Sequence, residues 1–339
     1  MSFLSGLWWS YRLRLRRKHL LWRALRSRHR LSPVANRTRT IRPGAILAFA
    51  CLRNEAARLP FFLDHYRRLG VDHFLIVDND STDGSRDLLK GQADVSLWRT
   101  AASYRAARFG MDWINWLLMR HGRGHWCLTV DADELLIYPD WQTRPLPELT
   151  ADLDRRGAPF MAAMMLDLYP KGPLSRNRYI PGTDPTTILN WFDADGYHRD
   201  PQEKFGNISI RGGARMRHFF ADRPELAPHL HKTPLIKWQL RWAYLSSTHI
   251  ALPRRLNRGF DPALGLPTGV LLHTKFLDQV IEKSREEKHR GEHFTHSDRY
   301  DSYYDKVIAD PDLWTPSSTR YEGAAQLEAL GLMARGSQS

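Results

Sequence analysis

Cysteine is almost missing from this chain: Cys51 and Cys127 are the only two in 339 residues. Both lie inside apolar runs, where a thiol behaves as a small buried hydrophobe, so neither a disulfide framework nor a cysteine zinc site organises the protein. No apolar run reaches the ~20 residues that a membrane-crossing helix needs, and no signal-peptide pattern opens the chain. The Gly-x-x-x-x-Gly-Lys and Gly-x-Gly-x-x-Gly phosphate loops are both lacking, as are internal repeats. Acidic residues are absent from residues 1–42, which hold twelve Arg and Lys. Of the formal net charge of +13, +12 therefore sits there, and the rest of the chain carries 13 − 12, or +1.

That basic segment interleaves Leu7, Trp8, Trp9, Tyr11, Leu15, Leu20 and Trp22 with Arg12, Arg14, Arg16, Arg17, Lys18, Arg23 and Arg26. A basic helix with indole and leucine on its other side suits an anionic membrane surface. A tail packed on its own domain is the competing expectation. Nucleic acid attracts any polycation, but a near-neutral remainder with acidic clusters argues against a nucleic-acid partner. The expected location is cytoplasmic, with peripheral contact at the inner membrane face.

Past the Pro43-Gly44 break, apolar runs alternate with helical spacing. Residues 45–52 read as a buried strand ending in Arg53-Asn54-Glu55. Leu59, Phe62, Leu63, Tyr66 and Leu69 recur as one helix face. Residues 73–77 form a second strand, stopped by Asp78-Asn79-Asp80-Ser81-Thr82-Asp83-Gly84. Residues 95–98 form a third, and a helix over 106–119 carries Arg108. The strand 126–130 then stops at Asp131-Ala132-Asp133-Glu134, three carboxylates in four residues. A central strand does not run through such a cluster without something to neutralise it. Alternation aims Asp131 and Asp133 the same way, an arrangement that suits a hard divalent cation, Mn²⁺ or Mg²⁺. An acidic turn is the plainer reading. Three strands ending in polar clusters at one edge favour the former, since open α/β sheets bind ligands there.

The fold class expected is α/β, a mostly parallel sheet with helices on both faces. After Pro139, residues 160–169 read as a strand, 170–202 as loop, and 205–220, 243–250 and 269–277 as short strands. In the last, His273 and Lys275 share one face. A charged helix follows over 278–290.

Leu52-Arg53-Asn54-Glu55, Gly70-Val71-Asp72-His73-Phe74, the 78–84 cluster and Asp131-Ala132-Asp133-Glu134-Leu135-Leu136 together resemble the nucleotide-sugar-dependent glycosyltransferases of GT-A fold. The likeness is to the family-2-like bacterial branch, related to family 92. Lys232-Thr233-Pro234-Leu235 and Leu271–Phe276 match its second half less specifically.

The charge distribution sets off a basic arm over 1–42; the resemblance implies a GT-A domain over 43–295 divided at 140, followed by a helical tail over 296–339. It implies that Arg53, Asn54 and Glu55 line the nucleotide pocket and that Asp80, backed by Asp78, takes the base or ribose. It places the metal on Asp131, Asp133 and His273, with His273 as a core histidine the alternative. Lys275 and Arg108 would neutralise phosphates, or else act as surface cations. Glu203, Asp222 and Glu292 are the candidate catalytic bases. The activity implied is transfer of a sugar from a nucleoside diphosphate, UDP by default, to a glycan or lipid-linked acceptor in envelope polysaccharide synthesis. A GT-A nucleotidyltransferase is the alternative, and the missing Gly-rich basic loop after the first strand counts against it.

Overall fold

The computed structural model describes residues 3–290 and 297–337. A long helix, α1 (Phe3–Ser27), precedes the short strand β1 (Ser32–Ala35) and the unbroken apolar strand β2 (Leu47–Leu52). Helix α2 (Leu59–Arg68) leads to β3 (His73–Asp78), α3 (Ser85–Lys90) to β4 (Val95–Arg99), and α4 (Met111–His121) to β5 (Trp126–Thr129). Next come β6 (Glu134–Ile137), α5 (Leu146–Arg155) and the eight-residue β7 (Phe160–Asp167). Three short strands follow, β8 (Trp191–Phe192), β9 (His198–Gln202) and β10 (Asn207–Arg211), then α6 (Gly213–Phe219) and β11 (His231–Lys237). The hairpin of β12 (Ala243–Ser246) and β13 (Ile250–Leu252) precedes β14 (Gly269–His273) and α7 (Val280–Arg290). The chain finishes through α8 (Ser297–Ile308), β15 (Thr319–Arg320) and α9 (Ala324–Ala329).

Nine strands form one sheet in the order β1-β4-β3-β2-β5-β11-β7-β14-β6. Strands β4, β3, β2 and β5 are mutually parallel, and β7 is parallel to β14. Strand β11 runs antiparallel between β5 and β7, and β1 and β6 are antiparallel edges. The expected α/β class with a largely parallel sheet and helices on both faces is therefore what the chain adopts. Alternation divides β2 accordingly. Ala48, Ala50 and Leu52 pack with Phe62 and Tyr66 of α2 and Leu149 of α5, whereas Leu47 and Phe49 pack with Trp113, Ile114 and Leu117 of α4.

Winding runs from β2 outward to β4 on one side and to β5 on the other. The point where it reverses is where open α/β sheets leave a crevice. The carboxyl ends of β2, β3, β5, β7 and β14 share that edge with the amino ends of β11 and β6.

Four expectations about elements change. The helix expected over 106–119 starts at Met111, because Arg108, Phe109 and Gly110 take left-handed backbone (φ 56, 57 and 75°) and form the turn before it. The strand expected over 205–220 covers only Asn207–Arg211, and Gly213–Phe219 is helical. The stretch expected as loop, 170–202, contains β8 and β9. The segment drawn as an arm to residue 42 supplies β1, and α1 packs on the domain through Leu13, Leu20 and Ala24. No helix among the described residues is long and apolar enough to cross a membrane.

Candidate functional site

A cavity of about 330 Å³ opens at the shared strand edge, lined by the segment 51–55 at the end of β2 and by 131–134, which leads from β5 into β6. Asp131 and Asp133 both line it, set there not by strand alternation but by the turn over 131–133 between β5 and β6, closed by the Glu134 N–H to the Asp131 carbonyl at 3.1 Å. Asp133 Oδ2 lies 3.2 Å from His273 Nε2, and the other ring nitrogen, Nδ1, lies 2.6 Å from Asp167 Oδ1. Asp167 also accepts from Arg215 Nε at 2.7 Å. The order is thus Asp133, His273, Asp167, Arg215, with all but Asp133 buried. Register makes it: His273 is opposite Asp167 across β14 and β7, and opposite Glu134 across β14 and β6.

The charges follow from that order. Burial alone would raise Asp133's pKa, but His273, Arg58 and Lys275 bring it well below the usual carboxylate range. Burial would lower His273's, and Asp133 and Asp167 together raise it. Asp167 is held down to about 2, since Arg215 and His273 outweigh its burial. With Nδ1–H given to Asp167, Nε2 is the atom aimed at Asp133 and the cavity. A carboxylate behind the far nitrogen is how proteins orient a metal-binding imidazole.

Among the described residues no group of three or more His, Cys, Asp and Glu side chains is set to hold a metal ion. Asp133 and His273 form a two-donor pair, whereas Asp131, expected as a third ligand, is held instead by Lys232 at 3.0 Å. A hard cation there would complete its shell with water and phosphate oxygens, and this donor set fits Mn²⁺ or Mg²⁺.

Lys232 supplies the other half of the floor. Its ammonium, 3% exposed, bonds Glu134 and lies 3.0 Å from Asp131 Oδ2. Burial opposes its charge, yet Asp131 and Glu134 raise its pKa above the ordinary lysine value.

Arg53, Asn54 and Glu55 line the cavity as expected, and each is already engaged. Arg53 Nε meets Glu286 of α7 at 3.2 Å, and its Nη1 donates to the Asn79 carbonyl at 3.0 Å. Asn54, at φ 52°, accepts from the Thr82 N–H at 2.8 Å. Glu55 bridges Arg58 (2.7 Å) and Lys283 (2.6 Å). Lys275 lines the cavity with its ammonium 5.4 Å from the Tyr303 ring centre.

Other expected residues lie elsewhere. Asp80 turns away to Arg99 at 2.7 Å, because its left-handed backbone (φ 59°) swings the carboxylate outward, and it is outside the cavity lining. Asp78 is fully buried, accepting from the Ser81 N–H (3.1 Å) and Arg86 Nε (2.8 Å), which makes it a support for that loop. Arg108 pairs with Asp112 of α4 at 3.5 Å and is outside the cavity lining, while Arg23 of α1 meets the same Asp112 at 2.6 Å and ties α1 to α4. Glu203 and Asp222 sit exposed in turns, Glu203 after β9 and Asp222 after α6, and neither lines the cavity. Glu292 lies outside the described residues. The acids that do line it beyond Asp131 and Asp133 are Glu55, Glu134, Glu286 and Glu287.

Sequence reasoning missed Asp167, Arg215, Lys232 and Arg58. The available signal was a charge ending or interrupting an apolar strand, as Asp167 ends β7 and Lys232 interrupts β11.

No family model matches the chain, and no curated protein matches it either.

Proposed function

We propose that this chain is a metal-dependent glycosyltransferase of GT-A fold, taking its donor as a nucleoside diphosphate sugar in the cavity above Asp131 and Asp133. The observation that carries the reading is the Asp133–His273 pair, braced through Asp167 and Arg215 and opening on a cavity where acids and cations are evenly matched. A divalent ion bound there would act as Lewis acid and template for the diphosphate, offsetting the charge that grows on the leaving group.

The chain's own residues do the rest. Asp133 and His273 would hold the ion, with His273 giving up its Nε2 proton to do so, and Asp167 fixes the orientation of the ring through Nδ1. Arg53 and Lys275 face the phosphates, with Arg53's planar fork matched to phosphate oxygens. Lys232 fixes Asp131 and Glu134 so that neither carboxylate swings into the diphosphate. An inverting transfer needs a carboxylate at the acceptor hydroxyl. With Glu203 and Asp222 away from the cavity, Glu287 on α7 is the candidate in this reading. The acceptor is a glycan or a lipid-linked sugar, in keeping with a basic helix beside the domain.

Calorimetric titration of UDP and GDP, with and without Mn²⁺, tests this directly. Binding of one nucleotide that requires Mn²⁺ and disappears in Asp133→Asn is the expected result. Metal-independent binding, equal in the variant, would reduce Asp133 and His273 to structural acid and base.

A further inference from the structure

Helix α1 has two faces that differ in chemistry. Leu13, Leu20 and Ala24 are buried, against Ala243 and Leu252 for the leucines and toward α4 for the alanine. On the opposite side Trp8, Tyr11, Leu15 and Trp22 are 49, 63, 49 and 52% exposed. At 3.6 residues per turn these four fall within ~60° of the helix circumference, and Leu25, 40% exposed, extends the stripe. Large aromatic side chains held this far out of a fold need a reason, because burying each would have stabilised it.

The flanks of the stripe are cationic. Arg12 and Arg26 stack over the Trp8 and Trp22 rings at 4.8 and 4.7 Å, and Arg14, Arg16 and Lys18 are exposed. Helix α1 contains no acid. Among the described residues, Arg23 is the α1 cation seen paired with a carboxylate. Positive charge also gathers where the helix meets the domain. Burial, then Arg14, Arg255 and Arg241, lower the pKa of Arg17.

We propose that the outward face of α1 docks on an anionic lipid bilayer, with Trp8, Tyr11, Leu15 and Trp22 among the headgroups and Arg12, Lys18 and Arg26 on lipid phosphates. Indole and phenol rings settle at this depth, and lysine and arginine beside them gain from anionic headgroups. A nucleic acid would use the cations but give no role to four aromatic and leucine side chains in a line. The inner face of α1 is fixed to α4, so docking holds the whole domain at a set orientation to the bilayer. The proposal is independent of the reaction in the cavity.

The test is co-sedimentation of the full chain with vesicles of phosphatidylcholine alone and of phosphatidylcholine with about one-third phosphatidylglycerol, at low and high salt. Two variants are compared: Trp8→Ser/Tyr11→Ser/Trp22→Ser and Arg12→Glu/Arg26→Glu. Because the substituted side chains are exposed, circular dichroism and thermal midpoint should match the parent. The expected result is salt-sensitive binding to the anionic vesicles alone, weakened at least about tenfold in each variant. Absent binding, equal binding to neutral vesicles, or variants that bind as the parent does would overturn it. So would lipid-free dimerisation abolished by the aromatic substitutions, or duplex-DNA retention that they leave unchanged with no vesicle binding.

Discussion

Removing the Lys232 ammonium would strand two carboxylates, one of them, Glu134, 1% exposed. Breaking a buried ion pair by deleting one partner typically costs ~3–5 kcal/mol, because the remaining charge keeps its desolvation penalty. Lys232→Met should therefore lower stability by about that much in urea unfolding. Adding Glu134→Gln should recover part of the loss, and a double variant no better than the single would mean the lysine acts through packing alone. A second residue-scale effect concerns His229, His231 and His249, packed with ring centres 5.1 to 6.4 Å apart. Burial, aided by Arg211, pushes His229 down to about 4; burial, with His229 and Arg211, pushes His231 down to about 3. Burial and Lys232 lower His249 as well. Since unfolding restores a pKa near 6.5, the unfolded state binds more protons below that pH. The stability these neutral rings contribute is present above about pH 6.5 and lost as pH falls from there toward about 3. Urea midpoints should drop between pH 7 and pH 5, and His249→Gln should flatten the slope by up to ~1.4 kcal/mol per pH unit. An unchanged slope would mean His249 titrates normally.

At the scale of elements, close approach decides what the sequence conceals. Gly259 lies in the turn Arg254–Phe260 against β7, where an added Cβ would stand 2.4 Å from Ala162 Cβ and 2.9 Å from its backbone nitrogen. Neither neighbour is a flexible side-chain end, so Gly259→Ala should cost ~1–3 kcal/mol by overpacking. A urea midpoint within error of the parent would show that the turn moves away freely. Nothing in the residues around 259 signals this, since the contact joins segments about a hundred positions apart in the chain. Strands β2, β3 and β5 were legible for the opposite reason. Each is an apolar run buried on both faces, and each ends at a polar cluster that marks the sheet edge. Strand β11 was not, because His231, Lys232 and Pro234 break the apolar pattern of a strand that is nonetheless buried. The start of α4 was misplaced since helical spacing continues through Arg108 and Phe109 while the backbone there is left-handed.

Taken as a whole, the cavity is legible in its acids and illegible in its balance. Asp131 and Asp133 announce themselves as a local cluster, but the charges that restrain them arrive from β7, β11, β14, α6 and α7, and long-range register alone brings those together. The lining holds six carboxylates (Glu55, Asp131, Asp133, Glu134, Glu286 and Glu287) against six lysines and arginines (Arg53, Arg58, Arg215, Lys232, Lys275 and Lys283). A lining so nearly neutral suits a diphosphate that brings its own divalent cation better than a bare anion, for which unspent positive charge would be needed. Arg53 is the cation that a diphosphate would compete for, and Glu286 occupies it, the pair being 23% and 38% exposed. Pairs exposed to this degree are worth little, ~0.2–1 kcal/mol, so phosphate oxygens can replace the carboxylate at small cost. Glu286→Gln keeps the shape of α7 and removes the competing charge. Nucleoside diphosphate affinity, measured with Mn²⁺ present, should then rise by up to about fivefold, with a steeper dependence on salt because Arg53 no longer has a partner to exchange. A fall in affinity would instead place Glu286 on the nucleotide itself, accepting from a ribose hydroxyl or a base N–H.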